Sequence, residues 1–121
     1  MNIELLTYRW DSIMRSNPSR SQHMTELFQR FEQCFQNNEE FEGRKHDTSR
    51  WVAINDLKND ILKNGMKNPL IIWKIPDKNK YLTLIGNQRL CIARSLQWKI
   101  IPVIHAKDWP ESEKLKKELY A

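Results

Sequence analysis

The chain has 121 residues, enough for one hydrophobic core but not for two independent ones; with 40% hydrophobic and 29% charged residues it reads as folded and very soluble rather than disordered. The net charge of +5 is unevenly divided: residues 1–50 carry seven Lys/Arg against eight Asp/Glu and residues 51–121 thirteen against seven, so cationic character suited to phosphate-bearing partners belongs to the second half. No apolar run approaches the roughly 20 residues of a membrane span, and the opening "MNIELLTYRWDSIMR" has acidic residues where a signal peptide has basic ones, so no membrane contact and a cytoplasmic location are expected.

In chain order, residues 1–15 read as a short helix or irregular arm anchored by Leu5, Leu6, Trp10, Ile13 and Met14, closed by the turn-forming "SNPSRS". In "QHMTELFQRFEQCFQ", Met24, Leu27, Phe28, Phe31, Cys34 and Phe35 recur at steps of three and four, the spacing of an amphipathic helix. The aperiodic, charged "NNEEFEGRKHDTSRW" reads as a loop. Next, "VAINDLKNDILKNG" sets Ile54, Leu57, Ile61 and Leu62 on one helical face and stops at Gly65. Two strand-like runs, "PLIIWKI" and "YLTLI", flank the turn formers of "PDKNK" and predict a hairpin. Gly86 ends the second strand; the helix "NQRLCIARSLQW", the strand "IIPVIHA" and a helix opened by Pro110 come after it. The expected fold class is α+β, with residues 1–50 as an N-terminal helical extension and loop and residues 51–121 as the mixed domain.

The helix after Gly86 opens with an arginine, a cation in a first turn that the macrodipole disfavours by about 0.3–1 kcal/mol. At about 100° per residue, Arg89 falls among Ile92, Ala93 and Leu96, which holds it on the buried side at the helix mouth, beside free backbone N–H groups. A guanidinium and several N–H donors converging after a glycine turn make an anion site, because all of them favour negative charge. Pairing of Arg89 with an internal carboxylate, or snorkelling of its head to water, is the competing reading.

Other chemistry is poorly supported. Cys34 and Cys91 lie in helical patterns without a CxxC partner, and His23, His46 and His105 lack metal-ligand spacing, so no metal site is expected. Glu39, Glu40, Glu42 and Asp47 read as solvated loop charge, and Asp77 with Lys78 as a turn rather than a metal-nuclease fragment. The five tryptophans, Trp10, Trp51, Trp73, Trp98 and Trp109, read mostly as core or rim rather than as base-stacking platforms, with Trp73 in a strand and Trp98 at a helix end in positions that usually bury side chains.

The run "GNQRLCIARSLQWKIIPVI" resembles the nucleotide-binding motif of the ParB/sulfiredoxin superfamily, in which a GxxR turn opens a helix and IPV-type residues form the next strand. Upstream, "LKNDILKNGMKNPLIIWKI" resembles the family's preceding helix, glycine, xxxP turn and strand. The likeness spans about residues 52–106. It implies a ParB/sulfiredoxin-like domain of helix, β-hairpin, GxxR-initiated helix, strand and helix, with the first 50 residues as an added helical segment. It further implies phosphate binding by Gly86, Asn87, Gln88 and Arg89, with Gly65, Asn68 and Pro69 lining the same pocket, for a nucleotide such as CTP or ATP with Mg²⁺.

The departures bear on chemistry. Chromosome-partitioning members place a glutamate directly after this glycine, implicated in hydrolysis, whereas Asn87 cannot act as a base; nucleotide hydrolysis or phosphoryl transfer stays open and no catalytic residue is assigned. Sulfiredoxins place their reactive cysteine at the position of Asn87, which excludes that repair activity here. Two alternatives stand beside nucleotide binding: nonspecific DNA binding by the basic second half, as in a nuclease-like phage or mobile-element protein, and a non-catalytic scaffold whose helix 22–36 contacts a protein partner or a second copy.

Overall fold

The alternating apolar runs after Pro69 form the expected hairpin. The computed structural model describes residues 3–7, 12–15 and 22–120. In it, strand β3 (Leu70–Lys74) and strand β4 (Tyr81–Ile85) pair antiparallel around a turn in which Asp77 takes a positive φ of 60°. Strand β5 (Ile100–His105) lies parallel to β3 on its other side, with Leu70 opposite Val103. That arrangement requires a crossover, and helix α3 (Asn87–Ser95) supplies it.

Two further strands come from the segment expected to be a helix or arm, which corrects that reading. Strand β1 (Glu4–Thr7) pairs antiparallel with β5, and strand β2 (Ile13–Met14) pairs parallel with β4. The sheet order is β1-β5-β3-β4-β2. Tertiary pairing overrides local preference here: the bare edges of β4 and β5 offer hydrogen-bonding groups that segments of two and four residues can satisfy, and Ile13 is buried beside Leu70 and Ile72 in the process. The turn expected at residues 16–21 lies outside the described residues.

Helix α1 (Gln22–Asn37) has the expected amphipathic form, with Leu27, Phe31 and Cys34 buried. Helix α2 (Lys45–Asn64) begins earlier than expected, so residues 45–51 are helix rather than loop. Two side chains explain the extension. Trp51 continues the buried stripe of Ile54 and Ile61, and Asp47, in the first turn where a carboxylate suits the dipole, is buried among basic partners. Asp47 is therefore not the solvated loop charge read from the sequence. Leu62 is 59% exposed rather than buried, because one residue past Ile61 it turns about 100° away from the stripe.

The helices occupy both faces of the sheet. Alternate strand residues Leu70, Ile72, Ile101 and Val103 face Leu90 and Ala93 of α3. The other side of the same short helix, Cys91 and Ile92, packs with Leu27 and Phe31 of α1 and Trp51, Ile54 and Ile61 of α2. Helix α3 is thus buried on two sides, between the sheet and the α1–α2 pair, and α1 uses its apolar face inside the molecule. On the opposite sheet face, Leu115 and Leu119 of helix α4 (Trp109–Leu119) cover Ile71, Leu84 and Ile104. Asp108 caps α4, its Oδ1 accepting from the Glu111 N–H at 2.8 Å.

Arg15, just after β2, ties the sheet edge to α1. Its guanidinium donates to Glu32 Oε1 at 2.7 Å and to the Thr25 carbonyl at 3.1 Å, and lies 5.1 Å from the Phe28 ring centroid. His105 Nε2 and Glu4 Oε2, 3.0 Å apart, join β5 to β1.

Candidate functional site

The GxxR turn sits where strand β4 must leave the sheet and enter α3. Between Ile71 and Ile72 the pairing slips, leaving Leu84 as an extra residue on β4; such a bulge bends the strand and re-aims the residues beyond it. Gly86 then adopts φ 109° and ψ 26°, a left-handed geometry that an L side chain rarely takes. Space enforces the same choice, because a Cβ on Gly86 would stand 2.6 Å from Leu70 Cδ2. The glycine is required twice over.

The turn ends in a helix start with no side-chain cap on Gly86, and no acidic residue lies in the first turn. The Leu90 N–H closes the first helical bond on the Gly86 carbonyl at 2.9 Å, so the N–H groups of residues 87–89 precede the helical ladder and lie at its positive end. Asn87 and Arg89 are half-buried and Gln88 is exposed.

Arg89 has no carboxylate within ion-pairing distance among the described residues. Its guanidinium carbon lies instead 4.8 Å from the centroid of the Tyr120 ring, inside the roughly 6 Å range of cation–π attraction. Tyr120, the C-cap residue of α4, donates its O–H to the Pro69 carbonyl at 2.5 Å. Its oxygen is 3.6 Å from where a Gly86 Cβ would stand. Burial pushes the Tyr120 hydroxyl above its ordinary pKa, and the Arg89 charge opposes that rise only in part.

Three of the residues singled out from the sequence, Pro69, Gly86 and Arg89, therefore meet around Tyr120. Pro69 is fully buried, while Asn68 is half-buried beside it in the chain. Gly65 ends α2 at φ 79°, its N–H donating to the Ile61 carbonyl at 2.8 Å; it is exposed, with nothing within 4 Å of a Cβ placed on it. Gly65 and Asn68 thus lead in the chain to Pro69, and neither has a hydrogen bond to the Gly86 turn among those described. Sequence reasoning missed Tyr120. Its place one position beyond Leu119, on the apolar stripe begun by Ser112 and Leu115, was the available signal.

The two thiols stand apart from this turn. Both are buried and free, and burial raises the pKa of each, most strongly for Cys91, whose Sγ faces the Phe28 carbonyl at 3.8 Å. A second polar cluster joins α1 to α2: Asp47 lies 3.0 Å from His23 Nε2, 3.6 Å from Arg44 Nε and 3.7 Å from Arg50 Nη1. The bond from His23, more than the Arg44 and Arg50 charges, holds the Asp47 carboxyl below the usual carboxylate range against the opposing effect of burial.

Residues 36–120 match the ParB N-terminal domain. In fold, the chain is similar to the C-terminally truncated chromosome-partitioning protein ParB from Caulobacter crescentus complexed with CTP-gamma-S, at 16% identity and a TM-score of 0.55, over 100% of this chain and 54% of that one. It is similar to sulfiredoxin from Arabidopsis thaliana at 15% identity and a TM-score of 0.53, over the full length of both chains. SbnI from Staphylococcus aureus, with a C-terminal truncation, is similar at 15% identity and a TM-score of 0.51, over 88% of this chain and 31% of that one. The chain therefore spans about half the ParB structure and a third of SbnI. No curated protein has a significantly similar sequence. With more than half of its residues matched and the fold shared, the chain belongs to the ParB N-terminal domain family.

Proposed function

We propose that the Gly86 turn and the first turn of α3 bind the phosphates of a nucleotide. The observation that carries this reading is the state of Arg89: half-buried at the positive end of a helix, with no carboxylate partner among the described residues. Two cationic features left side by side are mutually unfavourable, and a phosphate relieves both through bidentate contacts to arginine and through the helix N–H groups. A relative of the same fold, complexed with CTP-gamma-S, supports a nucleotide over a bare anion. Gly86, Asn87, Gln88 and Arg89 are the phosphate-facing set, with Gly65, Asn68 and Pro69 on the approach.

The reading is one of binding rather than turnover, because the amide of Asn87 cannot serve as a general base. Among the described residues no group of three His, Cys, Asp or Glu side chains is placed to hold a metal ion. Mg²⁺ accompanying the nucleotide would be held chiefly through the phosphates and water, as is usual for that ion.

The test is a thermal-shift series with nucleoside mono-, di- and triphosphates and Mg²⁺, on the wild type and Arg89→Ala. A ligand at a hundred times its Kd should stabilise the chain by about 2.7 kcal/mol, and Arg89→Ala should diminish the shift. No shift with any nucleotide would sink the reading; an undiminished shift in the variant would move the site elsewhere.

A further inference from the structure

We propose that Tyr120 is a positioning residue for this site, its ring holding the Arg89 guanidinium at the mouth of α3 in the pose a phosphate meets. The proposal rests on the phosphate reading above. An arginine in the first turn of a helix is repelled by the dipole, and its long side chain loses considerable rotamer freedom when fixed. A carboxylate partner would hold it, but would also occupy the N–H donors that an anion needs.

The Tyr120 ring solves that conflict geometrically. It attracts the guanidinium through its face, with Cζ 4.8 Å from the ring centroid, whereas the five N–H donors of arginine radiate in the guanidinium plane. Unlike a carboxylate, the ring face offers no strong hydrogen-bond acceptor, so it supplies a compensating electrostatic partner while leaving the arginine donors for an anion. The ring is itself held at both ends. Its hydroxyl donates to the Pro69 carbonyl, and its body packs against the cluster of Ile71, Leu84, Ile104 and Leu115 on the α4 side of the sheet. Ordering Arg89 before the ligand arrives reduces what binding must overcome.

The experiment is a double-mutant cycle on Arg89→Ala and Tyr120→Leu, with Tyr120→Phe as the conservative variant. Affinities for CTP and ATP with Mg²⁺ are measured by calorimetry, and the Arg89 Nε–Hε resonance is followed in the nucleotide-free chain. Tyr120→Leu should weaken the tighter nucleotide about three- to tenfold, and Tyr120→Phe should stay within about threefold because the ring remains. In the Arg89→Ala background, Tyr120→Leu should add nothing. The Arg89 resonance should be displaced by the ring current in wild type and Tyr120→Phe, and return to an ordinary position in Tyr120→Leu. Equal weakening by Tyr120→Leu with and without Arg89, or tighter binding on removal of the ring, would overturn the role. An undisplaced resonance in wild type would overturn the Arg89–Tyr120 contact itself. A displaced resonance in a wild-type chain that binds no nucleotide would defeat the phosphate reading while leaving the contact standing.

Discussion

Replacing Gly86 by alanine tests whether the GxxR turn is built as described. The new Cβ meets Leu70 Cδ2 at 2.6 Å, with Leu70 Cα at 3.5 Å and Tyr120 Oη at 3.6 Å. Leu70 is fully buried and cannot swing into solvent, so the clash resembles overpacking of a core, about 1–3 kcal/mol. The backbone adds a second cost, because a non-glycine residue at φ 109° is strained by roughly another 1–3 kcal/mol. Together they predict a loss of about 2–6 kcal/mol. Gly65→Ala is a case of strain alone: at φ 79° and ψ 173°, a region essentially reserved for glycine, and with nothing within 4 Å of the new atom, it should cost about 1–3 kcal/mol. Urea unfolding followed by tryptophan fluorescence measures both. A Gly86→Ala loss below about 1 kcal/mol would refute the strained-turn account.

Other consequences are checked in the same way. The Asp47 carboxyl titrates lower in the folded chain than in the unfolded one, so its contribution is fully present above the unfolded value near 4 and disappears as pH falls through the lower folded value. Asp47→Asn should lower the urea midpoint at pH 6 and flatten its acid limb; an acid limb of unchanged steepness would count against the ion cluster. Phe31→Ala should cost about 3–5 kcal/mol, since the ring lies 5.1 Å from Phe41 and 5.4 Å from Trp51, and Trp51 emission should shift to the red. Neither Cys34 nor Cys91 should react with a disulfide reagent at pH 8 in the folded chain, while both react in guanidinium; rapid native labelling would show that the burial described for them is wrong.

The sequence was legible wherever one residue's neighbours in the chain are also its neighbours in space. The three- and four-residue spacing of Leu27, Phe31 and Cys34, the turn formers between β3 and β4, and the glycine before α3 all act locally, and the elements they predict are present. The first 15 residues were illegible for the opposite reason: "ELLT" carries little intrinsic strand preference and becomes a strand through the backbone groups of β5. The start of α2 depended likewise on a buried carboxylate whose histidine partner lies on another helix. At the GxxR turn the helical wheel placed Arg89 at the mouth of α3, but its partner was hidden. Tyr120 reaches it from the opposite face of the sheet, a relation that no spacing in the chain encodes.

The two outer strands carry a consequence for how this chain is made. Glu4 and His105, joined across β1 and β5, are 101 residues apart in sequence, and β2 waits on a β4 strand that comes after both long helices. During vectorial synthesis, at about 5–20 residues per second, the amino-terminal segments emerge early with no strand to dock on. The helices can begin to associate through their own contacts, whereas β2 can dock only after β4 has left the ribosome and β1 only after β5. Assembly of the sheet is therefore dominated by late, long-range closure, the kind of step that slows folding most.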